Sequence, residues 1–220
     1  MSSRRPRRPA IAEPTGDLAL VRLYWPLELR PAFDALMAID AAMAEVVATS
    51  TQPALGAIRL AWWREALERL DTADPPAEPR LQAAAAELLP RDVSGAMLSA
   101  IEDGYAAIIE ERPDSDRVAA GGAALFACGM ALLDATDPKS ESAGRLFGLA
   151  RAMRAGAMAL PEDVSIGELA DHRFARAIRP LTALARLAAR DIRQAPTIEP
   201  EATPGRAVAL LSHKLFGTVA

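Results

Sequence analysis

Residues 50–70, STQPALGAIRLAWWREALERL, read as one amphipathic helix around which the rest of the chain is organised. Pro53 suits a first turn, where its missing N–H is not needed and its φ is already helical. Ser50 or Thr51 can cap just upstream. From Leu55 the apolar residues recur as Leu55, Ile58, Trp62, Ala66 and Leu70, near the 3.6-residue period of one buried stripe. Trp63 widens that stripe, and Arg59 sits one turn before it. Aromatic residues at helical spacing usually fill a core, so the pattern predicts a core helix. The alternative is that Arg59, Trp62 and Trp63 form the wall of a site.

The flanking sequence carries the same signal. Ala, Leu and Arg dominate while β-branched runs and aromatics are few, which favours helix over strand. A short helix is expected over 17–25, ended by Pro26. A long one is expected over 27–49, where Phe33, Leu36, Met37, Met43 and Val47 recur at three and four and bury one face. The prolines of 73–79 make a stiff connector to a helix over 80–89. A helix over 92–111, capped by Asp92 or Ser94, precedes a glycine-containing helix capped by Asp114 or Ser115 and reaching Leu133. Helices are then expected over 141–159, over 165–194 with a disturbance at Pro180, and over 205–216. No strand pattern, internal repeat or long linker interrupts them. The expectation is an all-α, single-domain helical bundle over residues 17–220, preceded by a disordered basic tail at 1–16.

Bulk properties exclude several classes. A chain of 220 residues fits one domain, and a net charge of −4 leaves no strongly basic footprint for nucleic acid. One cysteine, Cys128, excludes an internal disulfide framework and a cysteine-based zinc site. Arg4, Arg5, Arg7 and Arg8 are followed by no apolar run, so the N-terminus does not read as a secretory signal, although it could touch anionic lipid. The longest uncharged run, 118–133, is shorter than the roughly 20 residues that span a bilayer. It reads as a buried core helix, and no transmembrane span is expected. His172 and His213 lie at no metal-ligand spacing and read as structural or surface residues. Gly121-Gly122 follows no strand and predicts close helix packing rather than a dinucleotide site. Glu110, Glu111, Asp114 and Asp116 surround Pro113 as a solvated connection, with Mg²⁺ binding the weaker alternative.

Three stretches in order, PLELR at 26–30, the segment 33–39 and IRLAWWREAL at 58–67, resemble the squalene/phytoene synthase family. Weaker similarity continues through Ile101-Glu102-Asp103-Gly104, through AAGGAALFACG at 119–129 and through Leu160-Pro161. Together these cover most of the chain. The resemblance implies an all-α bundle of the isoprenoid synthase type, with a central cavity walled by antiparallel helices.

Active members of that family carry two aspartate-rich motifs on facing helices. Two allylic diphosphates bring several negative charges, which Mg²⁺ must bridge to protein carboxylates while a diphosphate leaves. Carboxylates four residues apart share a helix face and can reach one metal cluster. Aligned on the family pattern, the first metal-binding pair falls on Ala44 and Ala48, which cannot coordinate a cation. Glu45 lies about 100° around the helix and should point elsewhere, whereas Asp40 shares the face of Ala44. Asp40 is either a lone cavity carboxylate or a buried acid paired with an arginine such as Arg59, and the paired role is preferred. The second motif is shortened: GLARAMRAGAMALP at 148–161 contains no acid, though Arg151 and Arg154 remain as cations. The tyrosine usual before the glycine-containing helix is missing, with Ser115 near its place.

These departures imply a non-catalytic member, similar to the branch that assists respiratory complex I assembly, with a protein partner and no cofactor. It would be cytoplasmic or membrane-peripheral. One alternative is an active prenyltransferase condensing two isoprenyl diphosphates with Mg²⁺. Another is an isoprenoid- or lipid-binding protein using the inherited cavity without chemistry. In any of these, Asp40, Arg59, Trp62, Trp63, Arg151 and Arg154 are the expected cavity or ligand-binding residues.

Overall fold

Small residues in the uncharged run decide how the helices meet. The computed structural model describes residues 11–162 and 164–219, so residues 1–10 of the expected tail, with Arg4, Arg5, Arg7 and Arg8, lie outside the described residues. Eleven α-helices are found among the described residues: α1 (Gly16–Arg22), α2 (Arg30–Thr49), α3 (Pro53–Glu68), α4 (Pro79–Glu87), α5 (Gly95–Ser99), α6 (Glu102–Ile109), α7 (Ser115–Leu132), α8 (Ser140–Arg154), α9 (Gly167–Ala170), α10 (Arg179–Gln194) and α11 (Pro204–Phe216). No strand occurs among them, only an isolated antiparallel bridge between Arg173 and Thr218. The fold is all-α and single-domain. No helix among the described residues is long and apolar enough to cross a membrane.

Helix α7 is the spine, and its two adjacent glycines face different neighbours. A Cβ added to Gly121 would lie 2.8 Å from the Cα of Gly104 on α6, and one added to Gly122 would lie 2.7 Å from the Cα of Gly148 on α8. Both are backbone-to-backbone approaches that no larger residue allows. From α8 the packing passes to α10, then to α11 and α1, and α1 also touches α2, which closes a ring. Phe33, Leu36, Ile39 and Met43 of α2 project into the middle of it with almost no exposure.

The expected elements exist, with corrections. On α3 the buried stripe is Gly56, Leu60, Trp63, Ala66 and Leu67, continued by Leu70 in a 3₁₀ turn at Arg69–Asp71. Leu55, Ile58 and Trp62 are instead exposed, at 53%, 66% and 47%. The helix is apolar on two sides, so period alone could not choose between them. Pro53 occupies the first turn as expected, but neither Ser50 nor Thr51 caps it: Gln52 precedes it, and the Ser50 hydroxyl donates back to the Val46 carbonyl at 2.6 Å.

The single helix expected over 92–111 is two, α5 and α6, broken at Ala100–Ile101. Ser94 is the cap, and the Asp71 carboxylate accepts from the N–H groups of Gly95 and Ala96 at 2.6 and 3.0 Å. Asp114 caps α7. The helix expected over 141–159 stops at Arg154, because Gly156 adopts φ +68° and its neighbours make the hydrogen bonds Gly156 N–H to Met153 and Ala157 N–H to Ala152. Pro180 starts α10 instead of disturbing a longer helix, leaving 171–178 irregular.

Candidate functional site

Asp40 is the only carboxylate on the inward face of α2, and it is almost fully buried. Its partner is Arg151 of α8, not Arg59: the Arg151 Nη1 donates to Asp40 Oδ1, and the Tyr105 hydroxyl of α6 donates to the same oxygen at 2.8 Å. The Arg151 guanidinium also lies over the Tyr105 ring, 4.5 Å from its centroid, and 5.5 Å from that of Phe147. Burial opposes the charge on Arg151, but the Asp40 carboxylate beside it wins and its pKa is raised. Burial, with Asp40 beside it, holds the Tyr105 phenol well above its usual range, so it stays protonated. The triad is therefore one ion pair with a neutral phenol clamped to it.

This triad divides two spaces. Outward lies a pocket of about 380 Å³ between α2, α3, α6 and the end of α8, walled by Ala44, Val47, Ala48, Ile108, Ile109 and Ala152, with Tyr105 and Arg151 at its polar end. Ala44 and Ala48 thus face one pocket together, as their spacing predicts. Glu45 points away from it, as expected, and pairs with Arg80 at 2.8 Å. Inward lies a cavity of about 150 Å³ bounded by Asp40 and Arg151 on one side and by Asp17, Asp191, Arg154 and Arg206 on the other.

That second charged group was not foreseen from the sequence, apart from Arg154. Arg206 of α11, only 1% exposed, donates through Nε to Asp17 at 2.8 Å and through Nη2 to Asp191 at 3.2 Å, while its Nη1 also pairs with Asp191. Arg154 reaches Asp191 at 3.2 Å and the Glu199 carbonyl at 3.0 Å. Asp17 and Arg206 are 189 residues apart, so no local pattern could pair them. The only hint was an acid or a cation at a position where the helical period calls for an apolar residue.

The remaining expected site residues lie elsewhere. Arg59 is exposed and donates to the Thr49 hydroxyl at 3.3 Å. Arg59 and the buried Trp63 border a different opening of about 620 Å³, closed on one side by the segment 11–15 and on another by α4. Trp62 packs edge-on against Trp63, with ring centroids 5.2 Å apart, and faces outward. His213 is buried, its Nδ1–H donating to the Thr218 carbonyl at 2.8 Å and its Nε2 accepting from the Thr182 hydroxyl at 2.9 Å. His172 pairs with Asp137 at 2.9 Å.

Mg²⁺, which the prenyltransferase alternative would require, does not fit these residues. Besides waters and phosphate oxygens, Mg²⁺ at a diphosphate site needs one or two free protein carboxylates. Ala44 and Ala48 supply none, Asp40 is occupied by Arg151 and Tyr105, and Asp17 and Asp191 are occupied by Arg206. Among the described residues no three His, Cys, Asp or Glu side chains gather in a metal-holding group. No family model matches the chain, and neither a curated protein nor a solved structure matches it significantly.

Proposed function

We propose that this chain is a non-catalytic helical protein of the squalene/phytoene synthase type, acting in the cytoplasm or at a membrane periphery as a partner in respiratory complex assembly. The observation that carries the non-catalytic reading is the pair Ala44 and Ala48. Both line the outer pocket, one turn apart, where an ionising enzyme of this type would hold its metal-binding carboxylates. The neighbouring acid, Asp40, is engaged by a guanidinium and a phenol, so a diphosphate arriving there would meet a neutral pair. The assembly role rests on the sequence resemblance alone. The test has two arms on the same preparation. Incubation with Mg²⁺ and farnesyl or geranylgeranyl diphosphate should release no pyrophosphate above a protein-free control, and affinity capture from the native host should recover respiratory complex I subunits. Mg²⁺-dependent turnover would overturn the first part, and capture without those subunits the second.

A second reading is supported by the same pocket. Its volume, about 380 Å³, and its mainly aliphatic wall with one polar end suit an apolar chain bearing a polar head. Native mass spectrometry of the freshly purified chain, with identification of the released small molecule, distinguishes it: a retained isoprenoid or lipid favours a binding protein, and an empty chain argues against one.

A further inference from the structure

Helix α11 has a buried side and, opposite it, an exposed apolar side. Arg206, Ala209, Leu210 and His213 are buried against the bundle. Val208, Leu211 and Leu215 recur at three and seven, about 180° from that buried stripe at 100° per residue, and they face outward. Phe216 at the end of the helix and Leu23 and Leu27 at the α1–α2 corner are exposed as well. All six are between 51% and 73% exposed. The corner and the helix are one surface, since the Lys214 ammonium lies 4.6 Å from the Tyr24 ring centroid. Tyr24, Arg176, Arg179, Leu211, Lys214 and Leu215 also line one depression of about 490 Å³.

The charges on this surface are one-sided. Segments 23–30, 173–179 and 204–219 contain a single acid, Glu28, in a chain whose net charge is −4. Arg30, Arg173, Arg176, Arg179 and Lys214 form no ion pair with a carboxylate among the described residues. Arg30 donates to the Leu23 and Trp25 carbonyls, and Arg179 to those of Phe174, Lys214 and Leu215. An exposed apolar helix face with unpaired cations beside it calls for a partner that is both apolar and anionic. A second copy docked on the same face would bring cations against cations. A bilayer interface with acidic headgroups meets both requirements at once: acyl chains receive the leucines while phosphates receive the cations.

We infer that the outward face of α11, with the α1–α2 corner, docks on an anionic lipid bilayer. The face does not depend on what the pocket binds. The full chain is tested by flotation with vesicles of phosphatidylcholine alone and of phosphatidylcholine mixed with phosphatidylglycerol. Roughly tenfold or greater preference for the anionic vesicles is expected, falling as salt screens the cations. The variants Leu211→Ser/Leu215→Ser and Arg176→Gln/Lys214→Gln should each weaken that binding about tenfold without changing the melting curve. A variant with Arg4, Arg5, Arg7 and Arg8 all changed to Gln should keep most of it. On wild-type protein, vesicles should suppress hydroxyl-radical labelling of Leu211, Leu215 and Phe216. The inference is overturned by absent or charge-indifferent vesicle binding, by full binding in both face variants, or by loss of binding in the tail variant alone. It is equally overturned by a dimer in sedimentation that the leucine variant dissociates.

Discussion

Two donors converge on one oxygen of Asp40, and both belong to helices far away in the chain. Removing one member of a buried ion pair leaves the other charged and unpartnered, which costs far more than the pair itself contributes. Arg151→Ala is therefore expected to destabilise the chain by about 3 kcal/mol, read from the urea midpoint. Asp40→Asn combined with Arg151→Met should recover most of that loss. His213 sets a pH dependence by the same desolvation physics. Burial lowers its pKa from 6.5 to about 4, outweighing the Thr218 carbonyl, which favours protonation. Between those values the unfolded chain takes up a proton that the folded one resists. Its contribution is complete above pH 6.5 and is lost as pH falls towards 4, at up to about 1.4 kcal/mol per pH unit. His213→Asn should flatten that slope in urea unfolding curves taken across the window.

At the scale of the element, most helices could be read from period, caps and prolines, because those signals act within a few residues. Asp114, Ser94 and Pro53 stand where local chemistry puts them. Which face of a helix turns inward is a different matter. The α3 period pointed to Leu55, Ile58 and Trp62 as buried, whereas packing against the neighbouring α5 and α6 buries Leu60, Trp63 and Leu67. The glycines of α7 were legible as packing residues, but their partners were not. Gly122→Ala would push a methyl group against backbone of α8, and backbone cannot swing aside as a side chain can. A loss of about 2 kcal/mol is expected from that overpacking, seen as a lowered melting temperature in calorimetry.

For the whole molecule, one seam of the ring, where α1, α10 and α11 meet, is electrostatic. Arg206 joins α11 to Asp17 on α1 and Asp191 on α10, and Arg154 adds α8 to the same cluster. Arg206→Ala leaves two buried carboxylates short of a partner, a loss of about 3–5 kcal/mol in a fold whose total stability is on the order of 5–15 kcal/mol. Limited proteolysis should then cut first near α1, a short helix left held mainly by buried Val21 and by the Arg22–Asp34 pair. Arg206→Met with Asp17→Asn and Asp191→Asn should restore resistance. The expectation of an all-α single domain followed from composition and from a 3.6-residue period that hardly breaks along the chain. The alanines at 44 and 48 were likewise plain in the sequence, since residue type alone decides that they cannot hold a cation. What tertiary structure decided was partnership: that Asp40 meets Arg151 and Tyr105, that Asp17 meets Arg206, and that Trp62 faces outward beside a buried Trp63. Helical period repeats every few residues and is written locally. A pairing across 65, 111 or 189 residues depends on how the helices pack, and no local pattern carries it.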